Sequence, residues 1–144
     1  MKICSICSRK LKNNRLTYCQ DGCGALIKRA NGGKSKEERE QRRKAVKTSW
    51  KDGAFRCYYT ELELVIQKNK SESPFYFTFD HLMPGNTNRI VACAQYINDV
   101  KSDTTKNEFK HNIVQLANYF SRKQKLCRKD FRLRYFRRFP KEEK

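Results

Sequence analysis

The chain has 144 residues, the size of one ordinary domain or of a small domain with an appended module. Its 33 lysines and arginines against 15 acidic residues give a formal net charge of +18, which predicts a polyanionic partner, nucleic acid ahead of an anionic membrane surface. No apolar run approaches the roughly 18 residues of a membrane span, and the N-terminus lacks the apolar core of a secretion signal. We therefore expect a cytoplasmic protein with no membrane partner.

The charge is divided unevenly along the chain. Residues 1–51 carry 15 basic and 4 acidic side chains, residues 52–121 carry 7 and 8, and residues 122–144 carry 11 and 3. A nearly neutral centre between two basic flanks suits a folded catalytic unit whose flanks bind a phosphate backbone. Binding to phosphate needs only cations, whereas catalysis needs ligands in fixed positions. The alternative is a solvated basic surface.

Four of the seven cysteines form two close pairs near the N-terminus, Cys4-x-x-Cys7 and Cys19-x-x-x-Cys23. This spacing lets both thiolates of each pair point at one ion, so residues 1–30 are predicted to form a module with one structural Zn²⁺. The alternative is four reduced cysteines on a flexible arm. The pattern resembles the zinc knuckles at the front of many mobile-element and phage nucleases.

Residues 31–52 are predicted to form an exposed, basic connecting helix. Ser35 with Glu38 has the spacing of a capping box, and the helix should end near Asp52-Gly53, with Trp50 packing on the centre. Its exposed cations have two interpretations, a solvated helix face or phosphate contacts. The phosphate-contact interpretation assigns this role to Arg42 and Arg43.

Residues 53–121 are predicted to form the central domain. Strand-forming residues occupy 54–60 and 75–79, and an apolar run over 90–97 enters a helix. A second capping box, Thr105 with Glu108, begins a helix whose apolar residues recur at helical spacing and are expected to pack in the core. That stripe is Phe109, Ile113, Leu116, Ala117 and Phe120.

Residues 122–144 form a basic tail in which aromatic residues alternate with cations. The aromatic side chains either stack on bases or anchor a terminal helix, and we favour anchoring with the cations facing nucleic acid. The predicted contacts are Arg132, Arg134, Arg137 and Arg138.

The most specific pattern is an Asp80-His81 pair at the end of a predicted strand. Successive side chains of a strand point to opposite faces, but a bend at the strand end would bring these two side chains to one site. There the carboxylate could bind a hard cation while the imidazole contacts a water. Phosphodiester hydrolysis needs both tasks, a base for the nucleophile and a cation for the developing charge. Histidine suits the first because its unperturbed pKa lies near neutrality.

Other polar residues follow at useful spacings. Asn98, on the next helix, offers an amide oxygen beside Asp80 as a second metal ligand, and Asn88 could pin the loop that carries His81. Lys101 lies one turn after Asn98 and is predicted, with Arg89, to contact phosphate. His111 is predicted to lie on a polar helix surface.

This order of residues resembles the HNH nuclease superfamily, with its ββα-metal fold, in a His-Asn-Asn variant. The likeness covers about residues 55–120, and the ending NDVKSD is close in pattern to the HNH domains of RNA-guided nucleases. The resemblance implies that Asp80 and Asn98 bind one divalent metal, Mg²⁺ or Mn²⁺, that His81 is the general base and that Asn88 is structural. Many HNH domains hold a second zinc, but Thr60 and Ile97 stand at its ligand positions, so we expect none here and expect Cys57 and Cys93 to be buried.

The predicted fold is α+β, a small ββα-metal core with flanking helices behind a zinc knuckle. The predicted function is a metal-dependent endonuclease acting on duplex DNA, with specificity that is limited or supplied by a protein or nucleoprotein partner. Two alternatives stay open. One is a catalytically silent zinc-dependent DNA-binding or regulatory protein, and the other is a basic RNA-binding protein.

Overall fold

The computed structural model describes residues 1–20, 22–86, 88–121, 123–125, 130 and 132. These residues form a small α+β fold with four α-helices and two antiparallel sheets of two strands each. The helices are α1 (Cys23–Ala30), α2 (Lys36–Ser49), α3 (Gln95–Lys101) and α4 (Lys106–Phe120), and the strands are β1 (Trp50–Lys51), β2 (Ala54–Phe55), β3 (Phe77–His81) and β4 (Ile90–Ala94). None of these helices is long and apolar enough to cross a bilayer.

A tight hairpin forms the N-terminal end of the fold. The amide of Cys4 donates to the carbonyl of Arg9 at 2.8 Å, and the amide of Ser8 donates back to the carbonyl of Cys4 at 3.0 Å. Ser8 takes a φ of 58°, in the left-handed region, which lets the chain reverse directly after Cys7. The second cysteine pair is held by a bond from the amide of Gly24 to the carbonyl of Cys19, at the start of α1.

Helix α2 is a core element rather than the exposed connection that the sequence predicted. It packs against both α1 and β4 and buries Ala45 and Val46 completely or nearly so. The predicted cap is present in part, because the Ser35 hydroxyl accepts from the amide of Glu38. The Glu38 carboxylate, however, accepts from the amide of Lys34 and not from that of the cap residue.

The chain turns at Asp52-Gly53, where φ is 50° and 77°, and this turn joins β1 to β2. Trp50 packs edge-on against Phe55 with ring centroids 4.9 Å apart, as predicted for Trp50. The predicted strand over 54–60 ends at Phe55, because the chain next forms a turn in which the amide of Tyr58 donates to the carbonyl of Ala92.

Strands β3 and β4 form the hairpin that positions the Asp80-His81 pair. Their register is unbroken from Phe77 opposite Ala94 to His81 opposite Ile90. The apolar run that was predicted to enter a helix is thus a strand first, and α3 begins only at Gln95. Strand, strand and helix follow one another with a single loop, residues 82–89, between the two strands.

Helix α4 has the predicted capping box, with both Thr105 and Glu108 in their expected bonds. Its predicted core stripe is wrong beyond Phe109, since Ile113 is 40% and Phe120 is 76% exposed. The next buried residue after Phe109 is Asn112. Its side-chain amide donates to the carbonyl of Arg132 and accepts from the backbone amide of the same residue. This face of the helix therefore carries polar contacts to the chain end where apolar packing was expected.

One core of buried side chains joins the N-terminal hairpin to the central unit. It contains two of the N-terminal cysteines, Cys4 and Cys23, together with Val46 from α2 and Phe77 from β3. Arg29 of α1 adds a hydrogen bond of 2.9 Å to the carbonyl of Phe77. The predicted boundaries at residues 30 and 52 therefore divide elements that share one hydrophobic core.

Candidate functional site

The four N-terminal cysteines converge on one point. The sulfurs of Cys4, Cys7, Cys19 and Cys23 all lie within 4.8 Å of one another, and those of Cys7 and Cys19 are 3.7 Å apart. A tetrahedral ion with Zn–S bonds of about 2.3 Å holds its sulfurs about 3.8 Å apart. The cluster therefore suits a structural metal such as zinc, as the spacing of the two pairs predicted.

The local backbone favours ionisation of one of these thiols. Burial opposes ionisation of Cys4, but hydrogen bonds with the backbone of Cys7, Ile6 and Cys19 outweigh it and lower the pKa of Cys4 to about 6. Burial raises the pKa of Cys23. A bound cation would stabilise all four thiolates together, because thiolate and not thiol is the metal ligand.

Asp80 is buried at the end of β3 and is 5% exposed. Its carboxylate faces α3, where the ammonium of Lys101 lies 3.2 Å from Oδ2 and 3.3 Å from Oδ1. Lys101 is itself fully buried and also donates to the carbonyl of His81 at 3.1 Å. The ammonium therefore neutralises the carboxylate and fastens α3 to the end of β3.

Tyr59 completes the surroundings of Asp80. Its hydroxyl donates to Oδ2 of Asp80 at 2.5 Å, and its ring packs edge-on against Phe109 of α4. Burial and the hydrogen bond to Asp80 raise the pKa of Tyr59, so the phenol stays a donor. No sequence pattern indicated this residue, because it lies 21 positions from Asp80 in a segment that was predicted to be a strand.

His81 faces the opposite side of β3 from Asp80. Side chains alternate along an unbroken strand, so His81 shares a face with Phe79, over whose ring the guanidinium of Arg42 lies at 5.1 Å. The imidazole is also near enough to Glu38 of α2 to contribute to lowering the pKa of that carboxyl. The predicted bend falls after His81, at Leu82, so it does not bring the two side chains to one face.

Asn98 lies on α3, one turn before Lys101, and is partly exposed. Its amide forms no hydrogen bond with any described residue. Asn88 is exposed in the loop, and its own backbone amide donates to the side chain of Asn86 at 2.8 Å. The side chain that pins this loop is therefore Asn86, which corrects the predicted structural role of Asn88.

Several predicted phosphate contacts are instead used within the fold. Lys101 is buried in its ion pair, so it is not presented to a substrate. Arg42 pairs with Glu38 at 2.6 Å, and Arg43 donates to the side chain of Asn31 at 2.8 Å. Arg89 differs, because its side chain is exposed at the end of the loop.

The C-terminal predictions are described only in part. The backbone of Arg132 exchanges two hydrogen bonds with Asn112, at 2.8 and 3.2 Å, while Arg134, Arg137 and Arg138 lie outside the described residues. His111, predicted to be a surface residue, is half-buried and bonds through Nε2 to the carbonyl of Asp130 at 2.7 Å. Residues 130 and 132 are thus anchored to α4 through two adjacent side chains.

Cys57 and Cys93 are buried in the core, as predicted. A hydrogen bond with Cys93 lowers the pKa of Cys57 to about 5, and the same bond together with burial raises the pKa of Cys93. Among the described residues, only the N-terminal cysteines form a cluster of three or more Cys, His or acidic ligands. The absence of a second zinc stays a prediction.

A comparison of this chain with protein-family models, with curated proteins and with solved structures finds no match.

Proposed function

We propose that this protein is a metal-dependent endonuclease of the HNH type that hydrolyses phosphodiester bonds in duplex DNA. The observation that supports the proposal most is the contact of α3 with the end of β3, where Lys101 bonds both Asp80 and the carbonyl of His81. Since Asn98 lies one turn before Lys101 on α3, this contact also brings Asn98 toward the Asp80-His81 pair. A hairpin that carries Asp-His followed directly by a helix that carries Asn is the order expected of a ββα-metal nuclease.

The donor set suits a hard divalent cation. A carboxylate and an amide oxygen, with phosphate oxygens and waters, make an Mg²⁺ or Mn²⁺ environment, and the amide of Asn98 is unengaged within the described residues. Asp80 and Asn98 would hold the ion once the ammonium of Lys101 has withdrawn, and Tyr59 would keep its bond to Oδ2. When bound, the metal supplies charge stabilisation at the scissile phosphate.

His81 supplies the base. Its imidazole is partly exposed at the mouth of the hairpin, where it can accept a proton from a water. His81 and Asp80 lie at the same end of β3 with their side chains on opposite faces. The proposed base and the proposed metal ligand would therefore contact a bound DNA strand from two sides.

One alternative function also draws on a specific observation. A catalytically silent, zinc-dependent DNA-binding protein is favoured by the Lys101 ammonium that neutralises Asp80 and by the opposite orientations of Asp80 and His81. A protein of this kind would keep the scaffold and the basic surface without cutting. The two functions differ in products, so they can be separated by experiment.

The test is cleavage by zinc-loaded protein of supercoiled plasmid and of an end-labelled duplex, with Mg²⁺, Mn²⁺ or Ca²⁺. We expect nicked or linear plasmid with Mg²⁺ or Mn²⁺, and fragments with 5′-phosphate and 3′-hydroxyl ends. Asn98→Ala should abolish cutting, because the change removes a metal ligand without breaking a bond of the fold. Asp99→Asn, at the neighbouring exposed position, is the matched control and should cut normally.

Binding of DNA without cleavage under any of the three metals would favour the silent DNA-binding protein. Cleavage or tight binding of RNA alone would favour the RNA-binding alternative. Either result would contradict the proposed function.

A further inference from the structure

A basic groove lies beside the first two residues of β4, and nothing in the proposed catalytic centre uses it. Its volume is about 760 Å³, and its walls come from α2, β1, Tyr58 and the loop that ends at Ile90. Four of its lining side chains are cationic and none is acidic. These cations are Lys44, Lys47, Lys51 and Arg89.

The lysines of the groove come from two consecutive elements. Lys44 and Lys47 lie three residues apart on α2 and are both exposed, so they project from one side of the helix. Lys51, which is also exposed, lies in β1 and lines the same groove.

The charges of the groove are available to a partner. None of the four cationic groups forms an ion pair with a carboxylate among the described residues, whereas the neighbouring Arg42 pairs with Glu38. Arg89 and Lys106 both lie close enough to Tyr58 to lower the pKa of its phenol, which extends the positive surface beyond the groove. A positive concavity without carboxylates attracts phosphate by Coulomb forces and by counterion release.

The aromatic side chains of the groove offer few free ring faces to a base. Trp50 is partly buried against Phe55, and the ammonium of Lys106 lies 4.6 Å from the ring centroid of Tyr58. Single-strand binding surfaces depend on bases stacking on open aromatic rings. The groove therefore suits the sugar-phosphate backbone of a duplex better than an unpaired strand.

We propose that this groove is the main duplex-DNA backbone site of the protein, with Lys44, Lys47, Lys51 and Arg89 as its phosphate contacts. The choice of DNA as the polyanion rests on the proposed function. Ile90 and Val91, which line the groove, pair directly with His81 and Asp80 across the hairpin. A strand seated in the groove thus runs beside the end of β3 that carries the cutting centre.

The test measures binding, separately from cleavage. A fluorescent 20-base-pair duplex is titrated with zinc-loaded His81→Ala protein in buffer without magnesium, over a range of salt concentrations. The groove variant replaces Lys44, Lys47 and Lys51 with Gln. We expect affinity to fall on the order of 10- to 100-fold and the slope of log K against log salt to become shallower by about 3.

A matched variant replaces Lys36, Lys68 and Lys70 with Gln, three exposed lysines that do not line the groove. It removes the same charge and should lower affinity much less. Equal loss in the two triple variants would overturn the proposal, because it would mean that net charge alone drives binding. Tighter binding of single-stranded DNA or of RNA than of the duplex would also overturn it.

The outcome is independent of the nuclease proposal. A groove variant that binds weakly establishes the site whether or not wild-type protein cuts DNA. Unchanged binding removes the site even if wild-type protein cuts DNA normally.

Discussion

The ammonium of Lys101 lies 3.2 Å from Oδ2 of Asp80 in the protein interior, where both side chains are almost inaccessible to solvent. A pair of this kind is costly to break from one side, since the remaining charge stays buried without a partner. The same carboxylate is the proposed metal ligand. On that proposal, Lys101 and a divalent cation would compete for Asp80.

Replacing Lys101 by Met should expose this competition. The variant loses the ammonium but keeps the apolar stem, so we expect it to lose about 3–5 kcal/mol of stability without divalent metal. Mg²⁺ should raise its melting temperature more than that of wild type, because the ion neutralises Asp80. Differential scanning calorimetry with and without Mg²⁺ measures both effects.

A double variant provides a folded control in case Lys101→Met does not fold. Lys101→Met with Asp80→Asn removes both charges and should be more stable than Lys101→Met alone. Equal magnesium responses of Lys101→Met and wild type would contradict metal binding at Asp80.

Tyr59 is expected to orient the Asp80 carboxylate. Tyr59→Phe removes a buried hydrogen bond to a charged acceptor, so unfolding free energy should fall by about 1.5–3 kcal/mol. Tyr58→Phe is the matched control, because the hydroxyl of the exposed Tyr58 accepts from Lys106 and should contribute less than about 0.5 kcal/mol. Chemical denaturation measures the free energy of unfolding of both variants. Equal losses would contradict a role for the Tyr59 hydroxyl in orienting Asp80.

Gly24 should be required for the cysteine cluster. A Cβ at this position would lie 2.8 Å from the carbonyl oxygen of Cys19, so Ala forces the backbone of a metal ligand to shift. We expect Gly24→Ala to cost about 1–3 kcal/mol and to lower zinc affinity roughly tenfold or more, as judged by competition with a chromophoric chelator. Ala25→Ser, at the adjacent exposed position, should bind zinc like wild type.

Glu38 should contribute stability that depends on pH. The backbone bond from Lys34, then the charge of Arg42, lower the pKa of Glu38 below its ordinary value of 4.5 despite burial. A depressed pKa stabilises the fold above the unfolded-state value, and this contribution is lost as pH falls through the folded-state value. Wild type should therefore exceed Glu38→Gln by about 1 kcal/mol at pH 7.

That difference between wild type and Glu38→Gln should shrink as pH falls below about 4.5. Denaturant titrations of both proteins at matched pH values measure it, and the comparison cancels effects of acid on the cysteine cluster. A difference that stays constant down to pH 3 would refute the electrostatic role.

Features with local causes were predictable from the sequence. The Thr105 capping box, the Ser35 cap and the spacing within each cysteine pair depend on residues three or four positions apart. The pattern also located the Asp80-His81 pair at the end of a strand, although that strand begins two residues later than predicted.

Features that depend on distant contacts were not predictable. Helix α2 appeared exposed because it has few apolar residues, yet Ala45 and Val46 are enough to seat it against β4. Lys101 lies one helical turn after Asn98 and was therefore predicted to contact phosphate. It is instead buried, because α3 packs on β3. The bond from Tyr59 to Asp80 likewise arises only when the turn after β2 folds against the hairpin.

His81 is proposed to act as the general base of the catalytic centre. The most direct measurement is the single-turnover rate of duplex cleavage in Mg²⁺ at saturating protein, for wild type, His81→Ala and His111→Gln. His111 is the matched control because its imidazole is engaged with the carbonyl of Asp130. We predict that His81→Ala slows cleavage by about 10²-fold or more while binding DNA normally, and that His111→Gln cuts at nearly the wild-type rate. Cleavage by His81→Ala at the wild-type rate would contradict the mechanism.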